Sequence, residues 1–294
     1  MTNIGILGFG EAGSAFARVL AGQGAVVWAF DEAWSQSASG PPLNDYAGEH
    51  SIRFCSLADL LASADIILSA VTTDAALDAA RACVADLGAH QYYCDLNSTA
   101  PAIKVELDGL IGSTGAMFVE GAILGAIGVT GGRTKILLGG VHAQALSGTL
   151  NKFELETSAY SKEIGKASTF KMLRSIFSKG VEALVIELLL AGCKAGLEDD
   201  LWQEITALFT GNSFDDVARN WVCSHAVAHE RRFHEMVQVA DLLAQMKLDA
   251  IMTDATLAFF RRSNELKLSR NFARKPDRVN EVIEALMRRT PAPS

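Results

Sequence analysis

The stretch from Gly5 to Leu20, GILGFGEAGSAFARVL, constrains the fold more than any other part of the chain. Asn3 to Leu7 reads as a short buried strand and Glu11 to Leu20 as a helix, with the glycines at the turn between them. Free N–H groups at a helix N-terminus and the positive end of its dipole both favour an anion at such a turn. In the pattern Gly8-x-Gly10-x-x-Gly13, Gly8 permits the turn, Gly10 lets backbone approach a phosphate, and Gly13 lets the helix approach the strand. Phe9, Glu11 and Ala12 complete this expected pyrophosphate cradle. A second apolar strand, Val26 to Phe30, ends at Asp31, about 20 residues on, where an acid accepts hydrogen bonds from both ribose hydroxyls and repels a 2′-phosphate. The expected cofactor is therefore NAD rather than NADP. The competing reading is a glycine run that only packs a helix on a strand, and Asp31 in this position weighs against it.

The alternation continues down the chain. Strands are expected at Ile52 to Cys55, Asp65 to Val71, Gln91 to Asp95, Met117 to Gly121 and Lys135 to Gly139. Helices are expected at Leu57 to Ser63, Asp74 to Asp86, and Pro101 to Leu110, the last opened by its proline. Strands separated by helices of this length imply right-handed crossovers and a mostly parallel sheet. Residues 1–163 are thus expected to form an α/β domain with a Rossmann-type doubly wound parallel sheet.

From Ala167 the pattern changes to helical spacing, with Phe170, Leu173, Phe177, Val181, Leu184 and Leu188 on one face. Further helices are expected at Leu201 to Phe209, Phe214 to Glu235, Val237 to Lys247 and Val279 to Arg288, and Pro291 to Ser294 reads as a frayed tail. Residues 164–294 are expected to be an all-α domain for substrate and dimerisation. The most hydrophobic run, Val181 to Leu197, carries Glu182, Glu187 and Lys194, so it reads as a buried helix and not as a membrane span.

A chain of 294 residues with 49% hydrophobic and 20% charged residues has room for both domains. Its net charge of −8 opposes nonspecific binding to nucleic acid or to an anionic membrane. The five cysteines are odd in number and lack a CxxC spacing, which fits buried free thiols in a reducing cytoplasm. No cationic segment precedes the first apolar stretch, so no signal peptide is expected.

Ligands of open α/β sheets bind beyond the carboxyl ends of the strands. Val71, Thr72 and Thr73 follow one such end, Asn97, Ser98 and Thr99 another, and Gly121, Ala122 and Ile123 a third. Taken singly, Thr72, Asn97, Ser98 and Thr99 also suit helix N-caps. His225 and His229 stand one helical turn apart, as zinc ligands can, but no third ligand has a suitable spacing, so no metal is expected.

The order of these segments, with DLNSTAP at 95–101, IGKASTFKMLRS at 164–175 and HERRFHEM at 229–236, resembles the β-hydroxyacid dehydrogenase family. That family includes 3-hydroxyisobutyrate, tartronate semialdehyde and 6-phosphogluconate dehydrogenases, and the chain is similar to a bacterial branch with a phosphogluconate-dehydrogenase-like C-terminal region. The resemblance implies that Lys171 is the catalytic acid/base, that Asn97 belongs with the cofactor, and that Ser98, Thr99, Gly121, Ala122 and Ile123 hold the substrate. Two departures stand out. The family asparagine four residues after the lysine is Ser175 here, preceded by Arg174, and the usual Ser-Gly-Gly is Ile123-Leu124-Gly125. Arg174 is then a further catalytic candidate, while Arg231 and His234 match substrate-proximal positions. The implied activity is NAD-dependent hydride transfer at the hydroxyl-bearing carbon of a 3-hydroxy carboxylic acid, by a homodimer. Two alternatives are an imine reductase-like enzyme, whose known members usually place another residue at the lysine position, and a non-catalytic NAD(H)-binding regulator.

Overall fold

The computed structural model describes residues 2–35 and 52–288; the tail expected at Pro291 to Ser294 lies outside them. Eight strands form one sheet: β1 (Asn3–Leu7), β2 (Val26–Phe30), β3 (Ile52–Phe54), β4 (Ile66–Ser69), β5 (Tyr92–Asp95), β6 (Met117–Ile123), β7 (Ile136–Gly139) and β8 (Thr157–Ser161). Their order is β3-β2-β1-β4-β5-β6-β7-β8. Strands β3 through β6 are mutually parallel, β7 runs antiparallel to β6, and β8 is parallel to β7. This is the doubly wound Rossmann-type sheet, extended by a reversed pair at one edge.

The helices beside the sheet are α1 (Glu11–Gly22), α2 (Glu32–Ser35), α3 (Leu57–Ser63), α4 (Ala76–Cys83), α5 (Pro101–Gly112), α6 (Ile127–Thr130) and α7 (Ala143–Leu150). Both faces of the inner strands are covered, which is why they read as near-continuous apolar runs. Ile4, Ile6, Val27 and Leu68 join Phe16 and Leu20 of α1 and Leu146 of α7 on one face. Leu7, Ile67, Tyr93 and Phe118 meet Leu60 and Leu61 of α3 and Leu107 of α5 on the other. Helix α1 buries Gly13, Phe16, Ala17 and Leu20, the spacing of a single stripe.

Strand β8 and helix α7 were not legible from the sequence. β8 is the polar run Thr-Ser-Ala-Tyr-Ser, largely exposed at the sheet edge, so it carries no apolar signal.

After β8 the chain enters the long helix α8 (Lys166–Ala195), followed by α9 (Glu198–Thr210), α10 (Phe214–Gln245), α11 (Ile251–Glu265) and α12 (Val279–Met287). The last sheet strand ends at Ser161, whereas the two compact units divide inside α8, as Met1–Ile176 and Phe177–Ser294. In the second unit α10 packs against α11 and α12, with Ala226, Leu268 and Val282 fully buried. The two helices expected over 214–247 are one, because Glu235-Met236-Val237 contains neither glycine nor proline. Helix α11, absent from the expectations, begins where the Glu187 carboxylate of α8 accepts the Met252 amide at 2.7 Å and the Thr253 amide at 2.9 Å.

The helix expected to be buried over 181–197 is not buried within the chain: Leu184, Ile186 and Leu190 are 46%, 53% and 59% exposed. A hydrophobic run states a demand for burial but not which surface meets it. All five cysteines are free; Cys83, Cys94 and Cys223 are buried as expected, whereas Cys55 is half-buried and Cys193 exposed. Burial pushes the Cys55 thiol up to about 11 and the Cys83 thiol to about 12, so both stay protonated near neutrality. Among the described residues, no helix is long and apolar enough to cross a membrane.

Candidate functional site

The register of the sheet brings the expected segments together. Leu7 pairs with Ser69, Ser69 with Asp95, and Asp95 with Glu120, a single row across β1, β4, β5 and β6. The segments after these residues therefore leave the sheet side by side.

At the first of them, Gly8 has φ +88 and donates its amide to the Phe30 carbonyl at 2.8 Å. A Cβ on Gly8 would lie 2.7 Å from the Ala70 carbonyl oxygen and 2.8 Å from Val71 Cγ1, so Val71 abuts the turn. A Cβ on Gly13 would come within 2.0 Å of the Gly8 carbonyl oxygen, whereas one on Gly10 would meet nothing within 4 Å. Gly8 thus makes the turn and Gly13 lets the helix pack close to it, while Gly10 faces open space. Gly10 is the N-cap of α1 and supplies no side-chain cap, so the helix's first amides, at Glu11, Ala12 and Gly13, have no partner within the helix and suit an anion.

Asp31 joins the end of β2 to this turn, its Oδ2 accepting the Phe9 amide at 2.8 Å and its Oδ1 the Ala33 amide at 3.0 Å. Each oxygen keeps a lone pair for a ribose hydroxyl. The Phe9 ring points into the protein, edge-on to Trp34 and Phe54 at 5.0 and 5.2 Å. Thr72 and Thr73 are exposed after β4, and the Thr72 hydroxyl leads the hydrogen bonds that hold the Asp74 carboxyl below its usual range. The cradle therefore fits a dinucleotide: its helix N-terminus is uncapped by any side chain, and the space beside Gly10 is open.

On the far side of the row, the start of α8 is tied to β6. Glu120 is fully buried; its Oε1 accepts the Ala167 amide at 2.8 Å and its Oε2 accepts the Ser168 hydroxyl at 2.8 Å. A carboxylate in this position satisfies an orphan amide and favours the positive end of the helix dipole. Gly139 makes room for it, because a Cβ there would lie 2.4 Å from Glu120 Oε1.

From this anchored end, Lys171 Nζ reaches the Ser98 hydroxyl at 2.5 Å. The two line a cavity of about 170 Å³ together with Asn97, Gly121, Ala122 and Ser175. Asn97 and Thr99 are buried there, and Asn97 Oδ1 and Thr99 Oγ1 have no protein hydrogen-bond partner. Unpartnered buried oxygens beside an ammonium are acceptors available to a hydroxyl or amide of a ligand. None of 97–99 caps α5, whose N-cap is Ala100 without a side-chain bond. Burial and, secondly, the nearby Lys104 ammonium hold the Lys171 amine below its usual range.

Other candidates are not among the residues that line this cavity. Arg174 is exposed and outside this lining, so the second cation acting on Lys171 is Lys104. Ile123 packs against the sheet's core rather than lining the cavity. Ser175 donates to the Lys171 carbonyl at 3.1 Å. Arg231 is exposed and paired with Glu235, and His234, also exposed, lies edge-on to Phe233; both belong to the second unit. Among the described residues no group of three or more His, Cys, Asp or Glu side chains is placed to hold a metal ion.

Sequence reasoning overlooked the buried pair beneath the cavity. Lys104 and Asp95 are both fully buried and form an ion pair, and the Lys104 ammonium also donates to the Asp95 and Asn97 carbonyls at 2.9 and 2.8 Å. It thereby fixes the backbone of the loop that carries Asn97 and Ser98. Burial raises the Asp95 carboxyl, opposed by the Lys104 ammonium and the Asn97 amide. A signal was present: Lys104 stands at i, with Leu107 and Ile111 at i+3 and i+7, on the buried stripe of α5.

Residues 1–79 match the NAD-binding domain of D-isomer-specific 2-hydroxyacid dehydrogenases, and residues 193–263 match a domain of unknown function, DUF1932. An uncharacterized 28.5 kDa protein of Methanothermus fervidus is 31% identical over 209 residues, which is 70% of this chain and 79% of that protein. A conserved protein of unknown function with structural similarity to 3-hydroxyacid dehydrogenases is 30% identical, covering 91% of this chain and 98% of its own, with a TM-score of 0.59. The fold is also that of an imine reductase from Myxococcus stipitatus in complex with NADP+, at 17% identity, 98% and 99% coverage and a TM-score of 0.78. With the glycine cradle, the lysine-bearing helix and a relative of this identity and coverage, the chain belongs to the β-hydroxyacid dehydrogenase family, the 3-hydroxyisobutyrate and 6-phosphogluconate dehydrogenase-like group.

Proposed function

We propose that the protein is an NAD-dependent dehydrogenase that moves hydride between the nicotinamide and the hydroxyl-bearing carbon of a 3-hydroxy carboxylic acid, with Lys171 as acid/base. The observation that carries this reading is the Lys171 amine beside Ser98 in a cavity with two unpartnered buried acceptors. The helix N-terminus at Gly10 to Gly13 and the Asp31 carboxylate would hold the coenzyme, which supplies the hydride acceptor when bound. Asp31 favours free ribose hydroxyls, hence NAD over NADP.

The chain's residues divide the remaining work. Ser98 orients the carboxylate in the cavity that Gly121 and Ala122 line. Neutral Lys171 accepts the carbinol proton on oxidation and, as the ammonium, donates it on reduction. Partial burial disfavours its charged form and brings its pKa nearer to working pH. Ser175 stands one turn on and can accept from the same amine after rotating off the Lys171 carbonyl. Arg231 and His234 remain substrate-side groups in this reading by resemblance alone.

The same reading makes the protein a homodimer in the cytoplasm: exposed apolar residues on α8 support the dimer, and five free thiols suit a reducing compartment. The deciding experiment is a panel of 3-hydroxy acids with NAD or NADP, read by absorbance of the reduced nicotinamide. Lys171→Ala is expected to abolish turnover while NADH binding stays within about twofold of the parent; equal activity in that variant overturns the mechanism. Imine reduction is the second reading, favoured by fold likeness at 17% identity. Cyclic imines in the same panel separate the two.

A further inference from the structure

The second unit contains a cavity of about 460 Å³ between α10, α11 and α12. Its walls are apolar: Trp221 and Val222 from α10, Phe259 and Phe260 from α11, and Ile283 and Leu286 from α12. Trp221, Phe259 and Ile283 are 44%, 49% and 42% exposed, so the cavity opens to solvent. That volume is within the range of small-molecule sites.

Two polar side chains reach the cavity, and they differ in what they offer. His225 is buried, stacks on Phe260 at 5.3 Å, and shares a 2.8 Å hydrogen bond between Nε2 and the Ser263 hydroxyl. The Ser263 hydroxyl also lies 3.3 Å from the Phe259 carbonyl one helical turn back. Burial, with His229 and Arg232 adding to it, lowers the His225 pKa to about 4, and the ring is uncharged at neutral pH. Arg232 is the cavity's cation. It donates to Ser224 Oγ at 2.8 Å, and among the described residues it has no carboxylate partner. A guanidinium without a counter-ion at the wall of an apolar cavity selects an anion with an apolar body. His225, uncharged at neutral pH, leaves Arg232 as the group that pairs with that anion.

We propose that this cavity binds an apolar monocarboxylate, its carboxylate on Arg232 and its hydrocarbon body against Trp221, Phe259 and Phe260. The site lies wholly within the helical unit and is separate from the cavity around Lys171, so it stands independently of the dehydrogenase reading.

The test uses octanoate as the probe and 1-octanol as its uncharged counterpart, titrated into the full chain by calorimetry and by tryptophan fluorescence, with Trp221→Phe identifying the reporter. Octanoate is expected to bind saturably at one site per chain. Arg232→Gln should weaken octanoate at least tenfold and leave 1-octanol unchanged, Ile283→Trp should abolish both by filling the cavity, and Lys171→Ala should bind octanoate as the parent does. Circular dichroism on each variant separates lost binding from lost folding. Unchanged octanoate binding in either cavity variant overturns the proposal, as does loss of binding in Lys171→Ala. So does a parent chain that binds no octanoate and whose dimer Ile283→Trp dissociates in sedimentation, which would make the cavity an interface between copies.

Discussion

Glu120 and Ala167 are 47 residues apart in sequence, and the carboxylate of the first accepts the amide of the second at 2.8 Å. This bond, with the one from Ser168, fixes the start of α8 to the sheet row from which the loop bearing Ser98 also departs. Glu120→Ala should cost about 2–4 kcal/mol, because an amide and a hydroxyl are left buried without their acceptor. Glu120→Gln keeps one carbonyl oxygen and should recover part of the loss. Urea denaturation of the three proteins measures both, and an Ala variant as stable as the parent would exclude the capping role.

The pH dependence of oxidation follows from Lys171. Its ordinary pKa is 10.5 and its environment lowers it, so the neutral base becomes available at a lower pH than for a free lysine. Oxidation should therefore increase with pH through the depressed pKa, and reduction, which needs the ammonium, should fall over the same range. A pH–rate profile of kcat/KM in each direction reads the two limbs.

The buried pair beneath the loop tests the electrostatic part of this argument. Lys104→Met alone should destabilise by about 3–5 kcal/mol, since the Asp95 carboxylate is left buried without its counter-ion. The double change Lys104→Met, Asp95→Asn should restore much of that stability, and its oxidation limb should move to higher pH because the second cation acting on Lys171 is gone. An unmoved limb in the double variant would show that burial alone sets the amine.

Gly10 and Gly13 make a contrasting pair. Gly13→Ala places a Cβ 2.0 Å from the Gly8 carbonyl oxygen and should lower stability by about 1–3 kcal/mol. Gly10→Ala enters open space, so the thermal midpoint should hold while NADH affinity falls about tenfold, because the Cβ occupies the path of the pyrophosphate. Thermal melts and NADH fluorescence titrations distinguish the two outcomes.

Stability toward acid has its own marker in His225. Its pKa is about 4 in the folded chain against 6.5 when free, so the unfolded chain takes up the proton first. Stability is then whole above about 6.5 and declines as pH falls toward 4, by up to about 3 kcal/mol from this group. His225→Gln should flatten that slope in denaturation curves measured across the window.

The cofactor turn and the inner strands were legible in the sequence because both rest on local chemistry. Glycine spacing at a strand-to-helix turn sets where backbone and helix can approach, and strands buried on both faces must be apolar throughout. Ser98 was legible as a residue beyond a strand end and Lys171 through the family resemblance, but their 2.5 Å contact spans 73 positions and depends on how the start of α8 is anchored. Other features depended on tertiary structure. The reversed direction of β7 is a matter of which edge it pairs with, the polar β8 is a strand only because β7 offers it hydrogen bonds, and α11 begins where Glu187, 65 residues earlier, accepts its first amides. Local sequence states what each segment must bury or satisfy; only the folded chain supplies the distant partner that does so.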